Sequence, residues 1–130
     1  MDQEGEDACL VLQGHAKEIY AVEWCHVEAF GWILATASFD ATVRLWDSKN
    51  GSCLSILTGN QDAVLTMSFN AGLLATAGLD QAIRIWSLAE PSFPLKSTHE
   101  HHSGGVFDLE WQGDKLAACT SDGRILILIN

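Results

Sequence analysis

Basic residues are scarce in this chain. Its 130 residues include 7 Lys and Arg against 17 Asp and Glu, a formal net charge of −10. Nonspecific nucleic-acid binding is disfavoured, because it needs Lys and Arg to replace phosphate counterions. An acidic surface favours basic partners such as Lys- and Arg-rich tails, and it also keeps a protein soluble. Part of the acidity lies in residues 1–8, a polar tail that we expect to be disordered.

Long apolar runs and paired cysteines are also missing. No run approaches the roughly 20 residues of a membrane-spanning helix, and the acidic N-terminus lacks the basic-then-apolar pattern of a secretory signal. The 4 cysteines follow no paired spacing and lie in or beside apolar strand patterns. They predict small buried side chains in a reducing compartment, not disulfides or a zinc site. We expect a soluble intracellular protein.

One pattern recurs three times along the chain. It reads GHAKEIYAVEW…LATASFDATVRLWD over 14–47, GNQDAVLTMSF…LATAGLDQAIRIWS over 59–87 and HHSGGVFDLEW…LAACTSDGRILILI over 101–129. The aspartates at 40, 80 and 122 are separated by 80 − 40 = 40 and 122 − 80 = 42 residues. A period of about 40–45 residues with GH and WD signatures is typical of the WD-repeat β-propeller, whose blades are four-stranded sheets.

The repeats predict an all-β fold of about three four-stranded antiparallel blades, within a unit over 9–130 and with blades at 14–57, 59–98 and 101–129. Closed propellers have about four to eight blades, so we expect a partial, open propeller. Such a chain is interpreted as a fragment, as one part of an assembly, or as a truncated product without independent function.

Two strands at the ends of the pattern predict self-association. Cys9–Gln13 occupies the place of a blade's outer strand, and the last repeat stops at its third strand, Arg124–Ile129. An apolar, unpaired edge tends to seek a partner strand. We expect Cys9–Gln13 of a second copy to supply that strand, in a domain-swapped pair.

Blades of this type are commonly locked by four hydrogen-bonded side chains. These are the GH His, a Ser or Thr on the second strand, the turn Asp and the Trp of the third strand, and such a buried network stabilises when every member is satisfied. The predicted members are His15, Ser38, Asp40 and Trp46 in blade one, Asn60, Gly78, Asp80 and Trp86 in blade two, and His102, Thr120, Asp122 and Leu128 in blade three. Because only blade one has the full set, Asp40→Ala is predicted to destabilise more than Asp80→Ala.

Two groups of residues invite catalytic interpretations. His15, Ser38 and Asp40 have the residue types of a triad, but their spacing recurs in each repeat and places them between blades. The cluster His99–His102 contains zinc-ligand types, but adjacent residues of an interblade loop rarely converge on one ion. We predict no enzyme activity, no cofactor and no metal. A metal-dependent hydrolase is the alternative, and elemental analysis would detect its metal.

One face of a propeller binds most partners, the face with the loops into each first strand and the turns between second and third strands. Three positions per repeat point there: the third and fifth residues after the GH His, and the residue before the turn Asp. The partner-binding residues predicted in this way are Glu18, Tyr20, Phe39, Leu65, Leu79 and Phe107. Aromatic anchors dominate interface energies when desolvated, although packing of the central channel accounts for the same residues equally well.

Several phrases resemble a known family. KEIYAVEW at 17–24, LATASFDATVRLWD at 34–47 and SGGVFDLEW…GDKLAACTSDG at 103–123 are similar to the last three blades of the transducin-β-like corepressor subunits, which are nuclear WD-repeat proteins. The resemblance covers about 14–128. It implies a noncatalytic nuclear scaffold in histone-deacetylase corepressor complexes, which binds histone tails and recruits the ubiquitin–proteasome machinery.

A short motif favours a second function. The stretch Trp46-Asp47-Ser48-Lys49 resembles the WDxR box by which some propellers dock onto cullin-ligase adaptors, with Lys in place of Arg. Lys cannot form the bidentate fork of Arg, so the match is weak. The alternative function is therefore the substrate receptor of a ubiquitin ligase.

Overall fold

The computed structural model describes residues 9–101 and 104–129. The predicted tail over 1–8 and the predicted network residue His102 lie outside these residues. The described part of the chain contains eleven strands and no helix. Within it, no helical segment is long and apolar enough to cross a membrane.

The strands form three antiparallel sheets in chain order. The first sheet contains β1 (Ile19–Val27), β2 (Gly31–Ser38), β3 (Val43–Asp47) and β4 (Cys53–Leu57). The second contains β5 (Val64–Asn70), β6 (Leu73–Gly78), β7 (Ala82–Ser87) and β8 (Leu95–Glu100). The third contains β9 (Val106–Gln112), β10 (Lys115–Thr120) and β11 (Ile125–Ile129). The prediction of three blades in an open propeller is confirmed for the described residues.

The same tight turn joins the second and third strands of every blade. The residue after the turn Asp has a positive φ each time: 71° at Ala41, 63° at Gln81 and 88° at Gly123. Only glycine adopts this conformation without strain. The two non-glycine turns are held by their aspartates, since Asp40 accepts the N–H of Thr42 at 2.9 Å and Asp80 accepts that of Ala82 at 3.2 Å.

The hydrophobic core lies between sheets. One buried cluster joins the first sheet to the second and includes Ile33, Leu45 and Leu74, all fully buried. A second cluster joins the second sheet to the third and includes Ile83 and Leu116. Repeat arrays gain much of their stability from such nearest-neighbour interfaces. The blades therefore support one another through these shared clusters.

The prediction that Cys9–Gln13 is a strand is wrong. The segment pairs with none of the described strands. It lies instead against the turn between β3 and β4, where a Cβ added to Gly51 would meet Leu12 Cδ2 at 2.7 Å and Leu10 Cδ2 at 3.2 Å. An outer strand needs an inner strand to hydrogen-bond, and none of the described strands lies beside this segment. The domain-swap hypothesis, in which this segment pairs with a second copy, stays a prediction.

The cysteine prediction holds for one residue of the four. All four cysteines are free, but only Cys25 is buried, while Cys9, Cys53 and Cys119 are exposed. Burial and, to a smaller extent, the charge of Glu23 raise the pKa of Cys25 to about 12. Cys119 is exposed because its side of the third sheet, which also carries Ile125 and Ile127, has no neighbouring sheet.

Candidate functional site

The buried hydrogen-bond network of the first blade includes the hydroxyl of Thr36. The indole N–H of Trp46 donates to Thr36 Oγ1 at 2.9 Å, and His15 Nε2 lies 2.7 Å from the same hydroxyl. His15 Nδ1 lies 3.0 Å from Asp40 Oδ2. The donors and acceptors match when the Thr36 hydroxyl donates to Nε2 and the Nδ1–H of His15 donates to Asp40. Every member of this buried chain then has a partner.

Asp40 is the strongest acceptor of this network. It takes hydrogen bonds from the backbone N–H of Ala16 and from both the N–H and the hydroxyl of Thr42. Burial raises the pKa of Asp40, but the hydrogen bonds from Thr42, Ala16 and His15 outweigh burial and hold this pKa well below its usual range. The carboxylate thus links the loop that precedes β1 to the turn between β2 and β3.

The assignment of Ser38 to this network is wrong. Its hydroxyl donates to the carbonyl of Glu18 at 2.8 Å and accepts the N–H of Asp40 at 3.0 Å, so it stiffens the turn. Ser38 and Thr36 are two residues apart on one strand and share a face. The signal for Thr36 was its recurrence as Thr76 in the second repeat, where Gly78 stands in the place of Ser38. The supposed triad therefore lacks its serine.

The second blade has a different hydrogen-bond network, in which buried Asn60 Nδ2 has no partner among the described residues. Trp86 Nε1 donates to Thr76 Oγ1 at 3.1 Å, and Thr76 reaches Asn60 Oδ1 at 3.4 Å. Arg84 Nη1 lies 2.5 Å from Asp80 Oδ2, and the two side chains are only 6% and 7% exposed. The guanidinium takes over the role that His15 has in the first blade. The expectation that this network lacks a hydroxyl is wrong, because Thr76 supplies one, whereas the histidine is replaced by Asn60 as the sequence indicates.

Among the described residues, the third blade keeps only the turn. Thr120 Oγ1 donates to Asp122 Oδ1 at 2.5 Å and accepts the N–H of Arg124 at 3.2 Å. Ala118 occupies the strand position of Thr36, and Leu128 packs at the edge of the interblade core. Neither side chain has a polar group to join a lock. Apolar contact with the second sheet replaces it.

Replacing Thr36 by valine is expected to lower the free energy of unfolding by about 2–4 kcal/mol. The substitution keeps the shape but leaves two buried groups, the Trp46 N–H and His15 Nε2, without a partner, at about 1–3 kcal/mol each. Urea unfolding measures the loss. Thr36→Ser keeps the hydroxyl, so its free energy of unfolding should fall by at most half as much as that of Thr36→Val. Thr98→Val, at an exposed site, should have little effect. A Thr36→Val variant as stable as the wild type would contradict the assigned network.

The predicted binding positions share one edge of the three sheets. The residue before each turn Asp donates its N–H to a carbonyl in the loop leading into the first strand of the same blade. These bonds are Phe39 N to Glu18 O at 2.9 Å, Leu79 N to Ala63 O at 3.0 Å and Ser121 N to Gly105 O at 2.8 Å. The repeated bond places the predicted residues side by side, and we name them the rim: Glu18, Tyr20, Phe39, Leu65, Leu79 and Phe107.

Most of the rim is open to solvent. Tyr20 is 54%, Phe107 53% and Phe39 39% exposed. The rings of Tyr20 and Phe39 meet edge to face, with centroids 5.8 Å apart. Leu79 is 37% exposed and packs over Gly105, where an added Cβ would lie 3.1 Å from Leu79 Cδ2. The rim therefore presents apolar side chains on a backbone that hydrogen bonds hold in place.

Further carboxylates lie on the first strands of the blades, Glu23 on β1 and Glu110 on β9. The backbone N–H of Phe69 donates to Glu23 Oε2 at 3.0 Å, a bond that joins the first blade to the second. Burial raises the pKa of Glu23, the bond from Phe69 lowers it, and the charge of nearby Glu110 raises it. Together with the exposed Glu18, these groups make the inner strands negative toward an approaching cation.

The other candidates from the sequence are separated by the structure. His99 and Glu100 end β8 rather than lying in a loop, so their side chains leave opposite faces of the sheet. No three His, Cys, Asp or Glu of the described residues are placed to hold a metal ion, and His102 falls outside that set. In the WDxR-like stretch, Trp46 is buried and Asp47 Oδ1 caps its own turn by accepting the N–H of Lys49 at 2.9 Å.

Comparison with known proteins gives matches of both sequence and structure. The family described as "WD domain, G-beta repeat" matches residues 7–47 and 51–87. F-box-like/WD repeat-containing protein TBL1X of Mus musculus is 36% identical over 98 residues, which are 74% of this chain and 18% of that protein. WD40 repeat-containing protein HOS15 of Arabidopsis thaliana is 35% identical over 97 residues, 73% of this chain and 16% of that protein. The chain therefore spans less than a fifth of these relatives.

A solved structure shows the same fold. The crystal structure of the computationally designed Ika8 protein aligns with a TM-score of 0.79 and 22% identity, and the match covers 92% of this chain and 35% of that one. At this identity the likeness concerns the fold alone.

Proposed function

This chain belongs to the WD domain, G-beta repeat family, and we propose that it is a noncatalytic protein-interaction scaffold whose binding surface is the rim. The observation that carries the proposal is the exposed edge-to-face pair of Tyr20 and Phe39 on hydrogen-bonded backbone. Aromatic side chains lose little conformational freedom on binding and contribute much of an interface's energy. A preorganised aromatic pair is thus suited to hold a partner.

The chemistry around the pair favours a basic partner. Lys17 Nζ lies 5.7 Å from the centroid of Phe39, so the face of this ring already accepts an ammonium group from the chain itself. The net charge of −10 and the exposed Glu18 add a longer-range attraction. We therefore propose Lys- and Arg-rich histone tails as partners. The resemblance to transducin-β-like subunits supports a place in a nuclear histone-deacetylase corepressor complex.

Tyr20→Ala is expected to weaken binding of a basic histone-tail peptide about tenfold, since loss of an anchoring aromatic side chain costs more than 1 kcal/mol. Isothermal titration of the peptide against wild type and variant measures the change. Raising the salt concentration should weaken wild-type binding, because screening reduces the attraction between exposed charges.

A matched control lies on the same strand. Val22 is 63% exposed but is not part of the rim, so Val22→Ala should bind as the wild type does. Equal affinity of Tyr20→Ala and wild type, or binding that does not change with salt, would remove the rim as the binding surface.

A further inference from the structure

A second concave surface lies at the opposite ends of the strands from the rim. It is a cavity of about 640 Å³ between the first and second blades, framed by the β1–β2 turn and the β7–β8 loop. We name it the interblade groove and define it by His26, Glu28, Phe30, Leu88, Glu90 and Phe93. Ligand sites of proteins commonly have about this volume. Both of its walls belong to described residues of adjacent blades.

Backbone strain holds one wall of the groove. Ser92 and Phe93 are consecutive non-glycine residues with positive φ, 66° and 49°. Such conformations persist only where the surroundings impose them, and they cluster at binding sites. The N–H of Phe93 donates to the carbonyl of Glu90 at 3.2 Å, and its ring packs against the core cluster of the first two blades. Phe93 is thereby held at a fixed place in the groove.

The two walls present aromatic rings to each other. Phe30, from the β1–β2 turn, and Phe93 have ring centroids 6.5 Å apart and planes inclined by 48°. Phe30 remains 37% exposed. Beneath the rings, Leu88 is buried in the core and gives the groove an apolar floor. The surface suits aliphatic side chains and the flat face of a planar cation.

The charges in the groove are negative. Glu28 is exposed and, within 9–101 and 104–129, belongs to no ion pair. Glu90 Oε2 pairs with Lys96 Nζ at 3.1 Å, and both side chains are about half exposed, 50% and 49%. Exposed pairs of this kind contribute little and exchange readily with a competing cation. An incoming cation therefore finds one unpaired carboxylate and one that it can capture.

From this arrangement we propose that the interblade groove binds an extended peptide segment that carries an arginine between large aliphatic side chains. The aliphatic side chains pack on Phe30, Phe93 and Leu88. The planar guanidinium stacks on an aromatic face and donates two parallel hydrogen bonds to a carboxylate, which the ammonium of lysine cannot match. This site is separate from the rim and does not depend on the proposed binding there.

Fluorescence anisotropy with a labelled short peptide, one arginine flanked by leucines, tests the proposal. Wild-type protein should bind this peptide about tenfold more tightly than the same peptide with glutamine in place of arginine, because the guanidinium contacts are lost. Phe93→Ala and Glu28→Gln should each weaken binding of the arginine peptide by a similar factor. Tyr20→Ala, at the rim, should leave it unchanged.

Glu28→Gln separates binding from folding, because Glu28 is exposed while Phe93 contacts the core. Equal affinity of Glu28→Gln and wild type would overturn the proposal. Loss of affinity in Tyr20→Ala alone would place the peptide on the rim instead, and absence of binding at millimolar protein would overturn the groove as a peptide site. Failure of the groove proposal leaves the histone-tail titration unaffected, because that titration uses another peptide and another surface.

Discussion

Asp80→Ala is expected to lower the free energy of unfolding by about 3–5 kcal/mol, because it leaves the buried charge of Arg84 without a counter-charge. The guanidinium is 6% exposed, and among the described residues its other side-chain acceptor is Asn60 Oδ1 at 3.4 Å. Asp80 also accepts the N–H groups of Gln61 and Ala82. Urea unfolding of the variant measures the effect.

Asp40→Ala is expected to cost less, about 1–3 kcal/mol, the cost of leaving one buried donor unsatisfied. It removes the shorter of the two contacts of His15 Nδ1, which still has Thr42 Oγ1 at 3.3 Å, and water can reach the donors of the exposed Ala16 and the half-buried Thr42. This order reverses the one expected from sequence, because that expectation did not include Thr76 and Arg84 in the second network. The double variant Asp80→Ala/Arg84→Met should regain part of the loss, since it replaces the pair with apolar groups. A double variant less stable than Asp80→Ala would contradict the buried-pair argument.

Self-association through β11 is the second large effect that we expect. Ile125, Ile127 and Ile129 are 76%, 64% and 72% exposed, on a strand that pairs with β10 on one side only in the described chain. An apolar edge without charges is a template for pairing, and here the partner is the same edge of a second copy. Light scattering of the wild type above micromolar concentration should show dimers or larger particles.

Ile127→Lys should shift this equilibrium to the monomer, because a lysine on an edge strand opposes pairing. Val11→Lys makes the same change of charge at an apolar site that is 70% exposed and outside the strands, and it should associate as the wild type does. A wild-type protein that remains monomeric and unfolds cooperatively would contradict self-association through β11. It would mean that three blades are soluble with this edge open.

The blade pattern was predictable because it combines two short-range signals. Alternation of side chains marks each strand, and the turn Asp marks each junction, so each recurrence of the pattern corresponds to one sheet. The ends of the strands were harder to predict. β1 continues to Val27, past the Trp24 that ends the recurring phrase, and β11 begins at Ile125 rather than Arg124. These shifts arise where pairing with the neighbouring strand, rather than local residue type, decides how far a strand runs.

Features that depend on contacts between elements were missed. Thr36 and Ser38 share a face of β2, so alternation cannot separate them, and only the position of Trp46 selects Thr36. In the sequence, Arg84 resembles an ordinary exposed strand residue. Its guanidinium lies beside Asp80 because Asn60, in the place of His15, leaves room for it. The interblade groove joins a turn of one blade to a loop of the next, which are distant in sequence.

The most direct test of the account is a map of where a basic histone-tail peptide binds. Backbone amide NMR spectra of the protein, recorded with increasing peptide, report each site by its chemical-shift changes. We expect the largest changes at Tyr20, Phe39, Leu79 and Phe107, and their loss in Tyr20→Ala. Changes confined to the open faces at the ends of the blade array, or no changes at the rim at millimolar peptide, would contradict the claim that the rim is the binding surface of this WD-repeat scaffold.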